Sequence, residues 1–204
     1  MKTFRLSPAG YLLSAMAITL VFATVESGVA SIPKLDRVRV LETPKAITDV
    51  ELVDQHDESF SLEDLQGKAV LVFFGFTNCP DVCPLAMSKF KQLQDSGNVD
   101  NERVAYVLVS VDGERDSPAA MKEYLENFSP DFVGLTADPD VVRPMVKSFS
   151  ASFYKGHVVD GHYDMSHSPQ TFVLDPDGML RAEMYSAPLE TMTTVVNSIL
   201  SEFE

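Results

Sequence analysis

The two cysteines of this 204-residue chain, Cys79 and Cys83, lie four positions apart in the segment FFGFTNCPDVCP, residues 73–84. Such a pair has three chemical uses: a structural disulfide, a thiol–disulfide redox couple, or two thiolate ligands for a soft metal ion. A disulfide across so short a loop adds little stability, because the stabilisation grows with loop length. Structural zinc is disfavoured as well, since it takes four cysteine or histidine ligands. Redox chemistry and binding of another metal are therefore the favoured uses.

The residues around the cysteines predict a strand followed by the start of a helix. Residues 69–76 (AVLVFFGF) form a continuous apolar run, which is typical of a strand covered on both faces. Pro84 suits the first turn of a helix, where a missing N–H costs little. Residues four apart on a helix have β-carbons about 5–6 Å apart, so both sulfurs would reach one metal ion or each other. A helix N-terminus also favours the thiolate form.

The rest of the chain alternates between strand and helix patterns. Further strands are predicted at residues 104–111, 132–135 and 171–174, with a turn at 175–178 and a last strand that ends near residue 185. Helices are predicted after Cys83 as far as Gly97, from Pro118 onward, over 140–149, and from about Leu189. This order predicts an α/β, thioredoxin-like fold: a central mixed sheet, helices on both faces and a late β-hairpin.

Three segments are predicted along the chain. Residues 1–30 join two basic residues to an uncharged apolar stretch and then to small residues, which is the pattern of a secretory signal peptide. Cleavage near Ala30 is expected, with an uncleaved membrane anchor as the alternative; the sixteen uncharged residues are short for a span, which usually needs about 20. Residues 31–48 are predicted as a linker or arm, and residues 49–204 as the thioredoxin-like domain.

The predicted signal peptide indicates where the protein is located. An exported protein of this kind is expected in the bacterial periplasm, at the periplasmic face of the inner membrane, or in an organellar intermembrane space.

The formal charge is −14 at pH 7. This acidity argues against nucleic acid as a partner, because phosphate backbones are bound by clusters of Lys and Arg. It favours cationic partners, metal ions included.

A metal bound by two cysteines needs a third ligand, and the chain has four histidines. Three of them are expected to be surface residues of loops and turns: His56, His157 and His162. His167 differs, because it lies two residues before Pro169 and just ahead of a predicted strand. In thioredoxin-like folds a proline at this place, commonly in cis, faces the helix that begins at the cysteines. His167 is therefore expected beside the cysteine pair.

Four segments together resemble the SCO/SenC family: FFGFTNCPDVCP, VSVDGERDSP at 109–118, GLTAD at 134–138 and YDMSHSPQTFVLDPDG at 163–178. The resemblance runs from about residue 51 to 185. It implies a thioredoxin-like fold, copper bound through a CxxxC motif and a distant histidine, and a role in the assembly of cytochrome c oxidase. Carried over by position, the copper ligands would be Cys79, Cys83 and His167.

The resemblance also implies a copper chemistry and a set of partners. Soft thiolates suit Cu(I), and an added imidazole lets the same site hold Cu(II). The implied partners are subunit II of cytochrome c oxidase or another copper or thiol client, together with a protein that donates copper. A membrane tether would be supplied by the N-terminal segment if it is retained.

Four positions near the motifs need separate interpretation. Ser166 stands where the family usually has an aspartate before the histidine, which removes a candidate carboxylate neighbour of that ligand. Gly113 replaces a proline and is predicted to be a minor surface change. Pro169 lies in a segment that resembles thioredoxin-like thiol reductases, which adds weight to a redox role. Asp81, between the cysteines, either shapes the loop, contacts a partner or is a simple helix-start carboxylate.

The residues and the family resemblance together imply two functions. The first is a copper metallochaperone that is not an enzyme; the second is a thiol–disulfide oxidoreductase that reduces the cysteines of a client. A peroxiredoxin is disfavoured, because the residues before Cys79 lack the proline of the Pro-x-x-x-Thr/Ser-x-x-Cys pattern. Met165, two residues from His167, is a further soft ligand candidate, although packing is its favoured role.

Overall fold

The computed structural model describes residues 37–160 and 162–204. The predicted signal peptide or anchor at residues 1–30, and the first part of the predicted arm, lie outside the described residues. None of the helices in the described ranges combines the length and the apolar character that a membrane span requires.

An eight-stranded mixed sheet forms the centre of the molecule, and two further strands form a small sheet of their own. The strands are β1 (Val38–Lys45), β2 (Leu52–Asp54), β3 (Ser59–Phe60), β4 (Ala69–Gly75), β5 (Val104–Ser110), β6 (Val133–Thr136), β7 (Phe153–Lys155), β8 (Met165–His167), β9 (Thr171–Leu174) and β10 (Leu180–Met184). The central sheet has the order β1-β10-β9-β4-β5-β6-β2-β3, and β7 pairs with β8. Neighbours are parallel only from β4 through β5 to β6.

Helices cover both faces of the central sheet, as predicted. They are α1 (Val82–Asp95), α2 (Pro118–Glu126), α3 (Pro139–Ser148) and α4 (Leu189–Ser201). Consecutive residues of β4 point to opposite faces. Phe73 lines a groove with Val82 of α1 and Met192 of α4, whereas Phe74 stacks edge to face on Phe149 at the end of α3, with ring centroids 5.1 Å apart.

The centre of the sheet positions the site. Every residue of β4 and of β5 is buried, which explains why both strands read as continuous apolar runs. The two strands pair in register from Ala69 opposite Val104 to Gly75 opposite Ser110. Their carboxyl ends therefore lie side by side, and in parallel α/β sheets this edge is where ligand sites form.

The prediction of a linker is wrong for residues 38–45. These residues form β1, which pairs antiparallel with β10 at the edge of the sheet. Every residue of β1 is exposed or half-buried, because this strand lies at the edge of the sheet, and so its composition resembles that of a linker. Arg39 of β1 also forms a 2.9 Å ion pair with Glu183 of β10.

Candidate metal centre

Cys79, Cys83 and His167 converge at the carboxyl edge of the sheet. One ligand atom from each, the two sulfurs and a ring nitrogen, lie within 4.8 Å of one another. The Sγ atom of Cys83 is 3.4 Å from Nε2 of His167, although 84 positions separate the two residues in the chain. Both cysteines are free thiols. The structure thus brings together the three residues that the sequence singles out.

The cysteines do not share one helical face, and that part of the sequence prediction is wrong. Only Cys83 lies in α1, whereas Cys79 belongs to the loop before it. The N–H of Cys79 donates to the carbonyl of Phe76 at 3.3 Å, which closes a turn before the helix begins. Pro84 occupies the first turn as predicted. Asp81 is the exposed N-cap residue, and its side chain makes no capping hydrogen bond.

A glycine at the end of β4 makes room for the buried sulfur. A β-carbon built on Gly75 would lie 2.9 Å from Sγ of Cys83 and 3.1 Å from a ring carbon of Phe73. Cys83 is itself fully buried, so its sulfur has little space to move. The side-chain position of Cys83 therefore depends on the absence of a side chain at position 75.

Gly75→Ala is expected to disturb the sulfur of Cys83 and to weaken metal binding. Overpacking of a core costs about 1–3 kcal/mol, and here the displaced atoms include Sγ of the buried cysteine. Chemical denaturation and metal titration should both register the change. Gly97→Ala is the control, because its β-carbon meets no atom within 4 Å and only its left-handed backbone (φ +66°) is strained. Equal metal affinity for wild type and Gly75→Ala would contradict this interpretation.

His167 presents Nε2 to Cys83 because its other ring nitrogen is held. Nδ1 lies 3.1 Å from the backbone carbonyl of Ser168. A carbonyl only accepts hydrogen bonds, so Nδ1 carries the proton and Nε2 keeps its lone pair. The rings of Phe73 and Phe76 contact the imidazole edge to face, with centroids 5.6 and 5.7 Å from it. The imidazole is therefore fixed in the tautomer and orientation that a metal ligand at Nε2 requires.

Burial sets the protonation states of two of the three groups. It lowers the pKa of His167, and hydrogen bonds of the imidazole to the backbone of Ser168 and Phe74 oppose this only in part. It raises the pKa of the Cys83 thiol, against a weaker lowering effect of a backbone hydrogen bond with Phe76. At neutral pH the site therefore holds a neutral imidazole and a protonated Cys83, so the expected helix-terminus effect on this thiol is overridden by burial.

The backbone carbonyl of Ser168, and not a side chain at position 166, holds the imidazole of His167. Ser166 is exposed, and as the neighbour of His167 in β8 its side chain points to the opposite face of the strand. Replacement of the family's usual aspartate by Ser166 therefore leaves the orientation of the imidazole intact.

Pro169 faces the start of α1, as predicted. It lines a groove with Val82 and Leu85 of that helix. No peptide bond within residues 37–160 and 162–204 is cis, so Pro169 follows a trans bond rather than the cis bond common at this place in thioredoxin-like folds.

The remaining ligand candidates lie apart from the centre. His56, His157 and His162 are exposed, in agreement with the sequence prediction. Met165 is half-buried and lines a different groove, together with Phe153 and Lys155.

Sequence reasoning missed a buried carboxylate that holds the loop before Cys79. Asp116 is fully buried and accepts hydrogen bonds from the N–H of Thr77 (3.0 Å), the hydroxyl of Thr77 (2.6 Å) and the hydroxyl of Ser110 (2.6 Å). The sequence shows Asp116 only as a polar residue before a helix. Its burial depends on the meeting of two distant segments, which no local pattern reveals.

A second missed group links the cysteine loop to the hairpin that carries His167. The guanidinium of Arg115 lies 3.9 Å from the ring centroid of Tyr163 and 5.9 Å from that of Phe76. Asp112 accepts from Nε of Arg115 at 2.5 Å and from the hydroxyl of Tyr163 at 2.6 Å. The segment VDGERD therefore supports both halves of the centre.

Gly113 in the same segment is not the minor surface position that the sequence predicts. A β-carbon at Gly113 would lie 1.9 Å from the backbone carbonyl oxygen of Ala137. The two backbone segments are thus packed directly against each other. This contact joins the loop that contains Asp112 and Asp116 to the segment before α3.

Fold and site together define a class: a thioredoxin-like α/β domain that presents two free thiols and a neutral imidazole at one edge of its sheet. The sequence profile of the SCO1/SenC family matches residues 39–201. A protein of Stutzerimonas stutzeri, named for an inferred copper-binding role, is 37% identical over 159 residues, covering 76% of this chain and 78% of that protein. The chain belongs to the SCO1/SenC family.

Solved structures agree with this assignment. Copper-bound ScoI of Bradyrhizobium japonicum shares 31% of its sequence with this chain at a TM-score of 0.67, covering 74% of this chain and 96% of that one. BsSco, described as a member of the Sco family of cytochrome c oxidase assembly proteins with a disulfide switch, is 22% identical at a TM-score of 0.61, over 79% and 98% of the two chains. The second likeness shows the shared fold.

Proposed function

We propose that this protein binds one copper ion through Cys79, Cys83 and His167 and serves as a copper chaperone in the assembly of cytochrome c oxidase. The observation that carries the proposal is the convergence of two sulfurs and an oriented Nε2 within 4.8 Å. Membership of the SCO1/SenC family and the copper-bound ScoI structure support copper as the metal.

The donor set fits copper in both oxidation states. Two thiolates are the soft ligands that Cu(I) prefers, and the imidazole adds a harder ligand that suits Cu(II). Cys83 and His167 are held by packing before the metal arrives, whereas Cys79 is half-buried on a loop. Such a site holds copper firmly enough to carry it and keeps one ligand accessible to a partner.

The proposed cellular role follows from the family and the charge of the chain. The client is a copper site of cytochrome c oxidase, with subunit II as the candidate, and a separate protein supplies the metal. The net charge of −14 attracts copper cations to the surface and argues against nucleic acid as a partner. Export, with or without a retained N-terminal anchor, is part of the proposal.

Copper titration of the reduced protein tests the proposal. One copper per chain should bind, and Cys79→Ser and Cys83→Ser should each abolish stoichiometric binding. Asn98→Ser, a change at an exposed loop position, should bind copper as the wild type does. Failure of the reduced wild type to bind one equivalent would remove the chaperone function.

Copper binding is expected to release protons at neutral pH. Burial keeps Cys83 protonated in the free protein, and the thiolate is the form that ligates. At least one proton per copper should therefore be released, and the affinity should rise about tenfold per pH unit for each proton. Calorimetry in buffers of different ionisation enthalpy measures that number. Binding with no proton release at pH 7 would contradict the protonation state assigned to Cys83.

The alternative is a thiol–disulfide oxidoreductase, and the unequal exposure of the cysteines favours it. Cys79 is half-buried and Cys83 is fully buried, which suits an attacking thiol and a resolving thiol. The Cys79 thiolate would attack a client disulfide and release one client thiol. Cys83 would then displace the second, leaving a Cys79–Cys83 disulfide and a client reduced by two electrons and two protons. This reaction requires both cysteines but not His167.

A further inference from the structure

One buried side chain, that of Asp116, forms two hydrogen bonds with the loop that carries Cys79. Between the end of β4 at Gly75 and the start of α1 at Val82, the loop hydrogen-bonds through both the N–H and the hydroxyl of Thr77 to the two carboxylate oxygens of Asp116. Thr77 lies two residues before Cys79. A displacement of the Asp116 carboxylate would therefore move the more exposed of the two sulfurs.

The carboxylate is itself held from several directions. Its Oδ2 atom accepts a third hydrogen bond from the hydroxyl of Ser110 at the end of β5. The backbone carbonyl of Asp116 accepts from the hydroxyl of Thr136 at 2.6 Å, and its N–H donates to the carbonyl of Asp112. All three groups that face the carboxylate are donors, so it is satisfied as an anion.

This anion has no ion-pair partner in the described part of the chain. Arg115, its neighbour in sequence, forms its ion pair with Asp112 instead. The carboxylate holds Thr77, two residues before Cys79, so its charge lies beside the loop that carries this cysteine. A buried negative charge acts strongly on nearby groups, because little water screens it.

We propose that Asp116 is a positioning residue of the copper site, which fixes the Cys79 loop through Thr77 and favours Cu(II) over Cu(I) by its negative charge. Reduction of Cu(II) to Cu(I) adds one electron to the site, and a nearby anion opposes that addition. Only the preference for Cu(II) over Cu(I) rests on the proposed copper function. The positioning of the Cys79 loop concerns the metal-free protein and is testable without copper.

Four variants separate the two effects. Asp116→Asn removes the charge and weakens the bonds to Thr77. Thr77→Val keeps the charge of Asp116 but removes the hydrogen bond from the hydroxyl of Thr77. Thr77→Ser keeps both the charge and this hydrogen bond. Asp54→Asn is the matched control, since Asp54 is also a buried carboxylate that accepts backbone hydrogen bonds, from His56 and Glu58, but lies on β2, separated from β4 by two strands.

The metal-free readout is the alkylation rate of Cys79, followed by peptide mass spectrometry, with the melting temperature as a measure of folding. Asp116→Asn and Thr77→Val are expected to speed alkylation about tenfold, a barrier change of roughly 1.4 kcal/mol. Thr77→Ser and Asp54→Asn should alkylate at the wild-type rate, even if Asp54→Asn melts earlier. An alkylation rate for Asp116→Asn equal to that for Asp54→Asn would overturn the positioning role.

The second readout is the ratio of Cu(I) to Cu(II) affinity, measured by competition with chelators specific for each ion. Asp116→Asn should raise this ratio about tenfold, equivalent to roughly 59 mV for a one-electron couple. Thr77→Val should leave it within about threefold of wild type, because the charge remains. An unchanged ratio in Asp116→Asn, or an equal rise in Thr77→Val, would overturn the electrostatic role. If the wild type bound no copper, the proposed function would fail while the alkylation result still decided the positioning role.

Discussion

His167→Ala is expected to lower the affinity for Cu(II) more than about a hundredfold while the dithiol chemistry of the cysteines persists. The variant removes the single nitrogen ligand of the proposed site, and two thiolates alone favour Cu(I). The affinity for Cu(I) should therefore fall far less. The measurement is a pair of competition titrations, one for each oxidation state, on reduced wild type and variant.

The control for this experiment is His162→Ala, which removes an exposed histidine of the same hairpin. It should bind both copper ions as the wild type does. A reductase assay on the same proteins separates the two proposed functions, since the redox reaction needs only Cys79 and Cys83. Wild-type Cu(II) affinity in His167→Ala would show that the imidazole is not a ligand, whatever its position in the fold.

Gly113→Ala is expected to destabilise the protein by about 3 kcal/mol or more. The new β-carbon would stand 1.9 Å from the carbonyl oxygen of Ala137, and a backbone atom gives way less easily than a side chain. The loop of residues 112–116 would have to shift, and with it the carboxylates of Asp112 and Asp116. Urea denaturation measures the loss, and amide hydrogen exchange across residues 112–116 should speed up.

Gly67→Ala serves as the control for Gly113→Ala. A β-carbon at Gly67 meets no atom within 4 Å, so the substitution adds only the strain of a left-handed backbone at φ +89°. That strain is about 1–2 kcal/mol. If both variants lost the same stability, the contact between Gly113 and Ala137 would not be the close packing described above.

Much of the fold follows from sequence because its central elements have strong local signals. The runs of residues 69–76 and 104–111 are almost entirely apolar, which is typical of strands that are buried on both faces of a sheet. Turn and cap residues mark the hairpin and the helix starts: Gly178 has φ +78°, and Ser117 caps α2 through the N–H of Ala120. Edge strand β1 has no such signal, since none of its residues is buried.

The site was predictable where motif and topology coincide, and not where it depends on packing. The convergence of Cys79, Cys83 and His167 was predictable, because cysteine is rare in this chain and the predicted fold brings Pro169 to the helix start. Asp116 could not be found, because an aspartate before a helix is usually exposed, and its burial results from tertiary contacts with Thr77 and Ser110. The clash at position 113 also depends on the approach of two backbones.

X-ray absorption at the copper edge, on protein loaded with one equivalent of copper, tests the central claim most directly. The proposed site predicts two sulfur ligands and one imidazole nitrogen in the Cu(II) form, with the imidazole signal absent from His167→Ala. A copper shell of oxygen and nitrogen alone in the wild type would contradict the site. So would an unchanged imidazole signal in the variant.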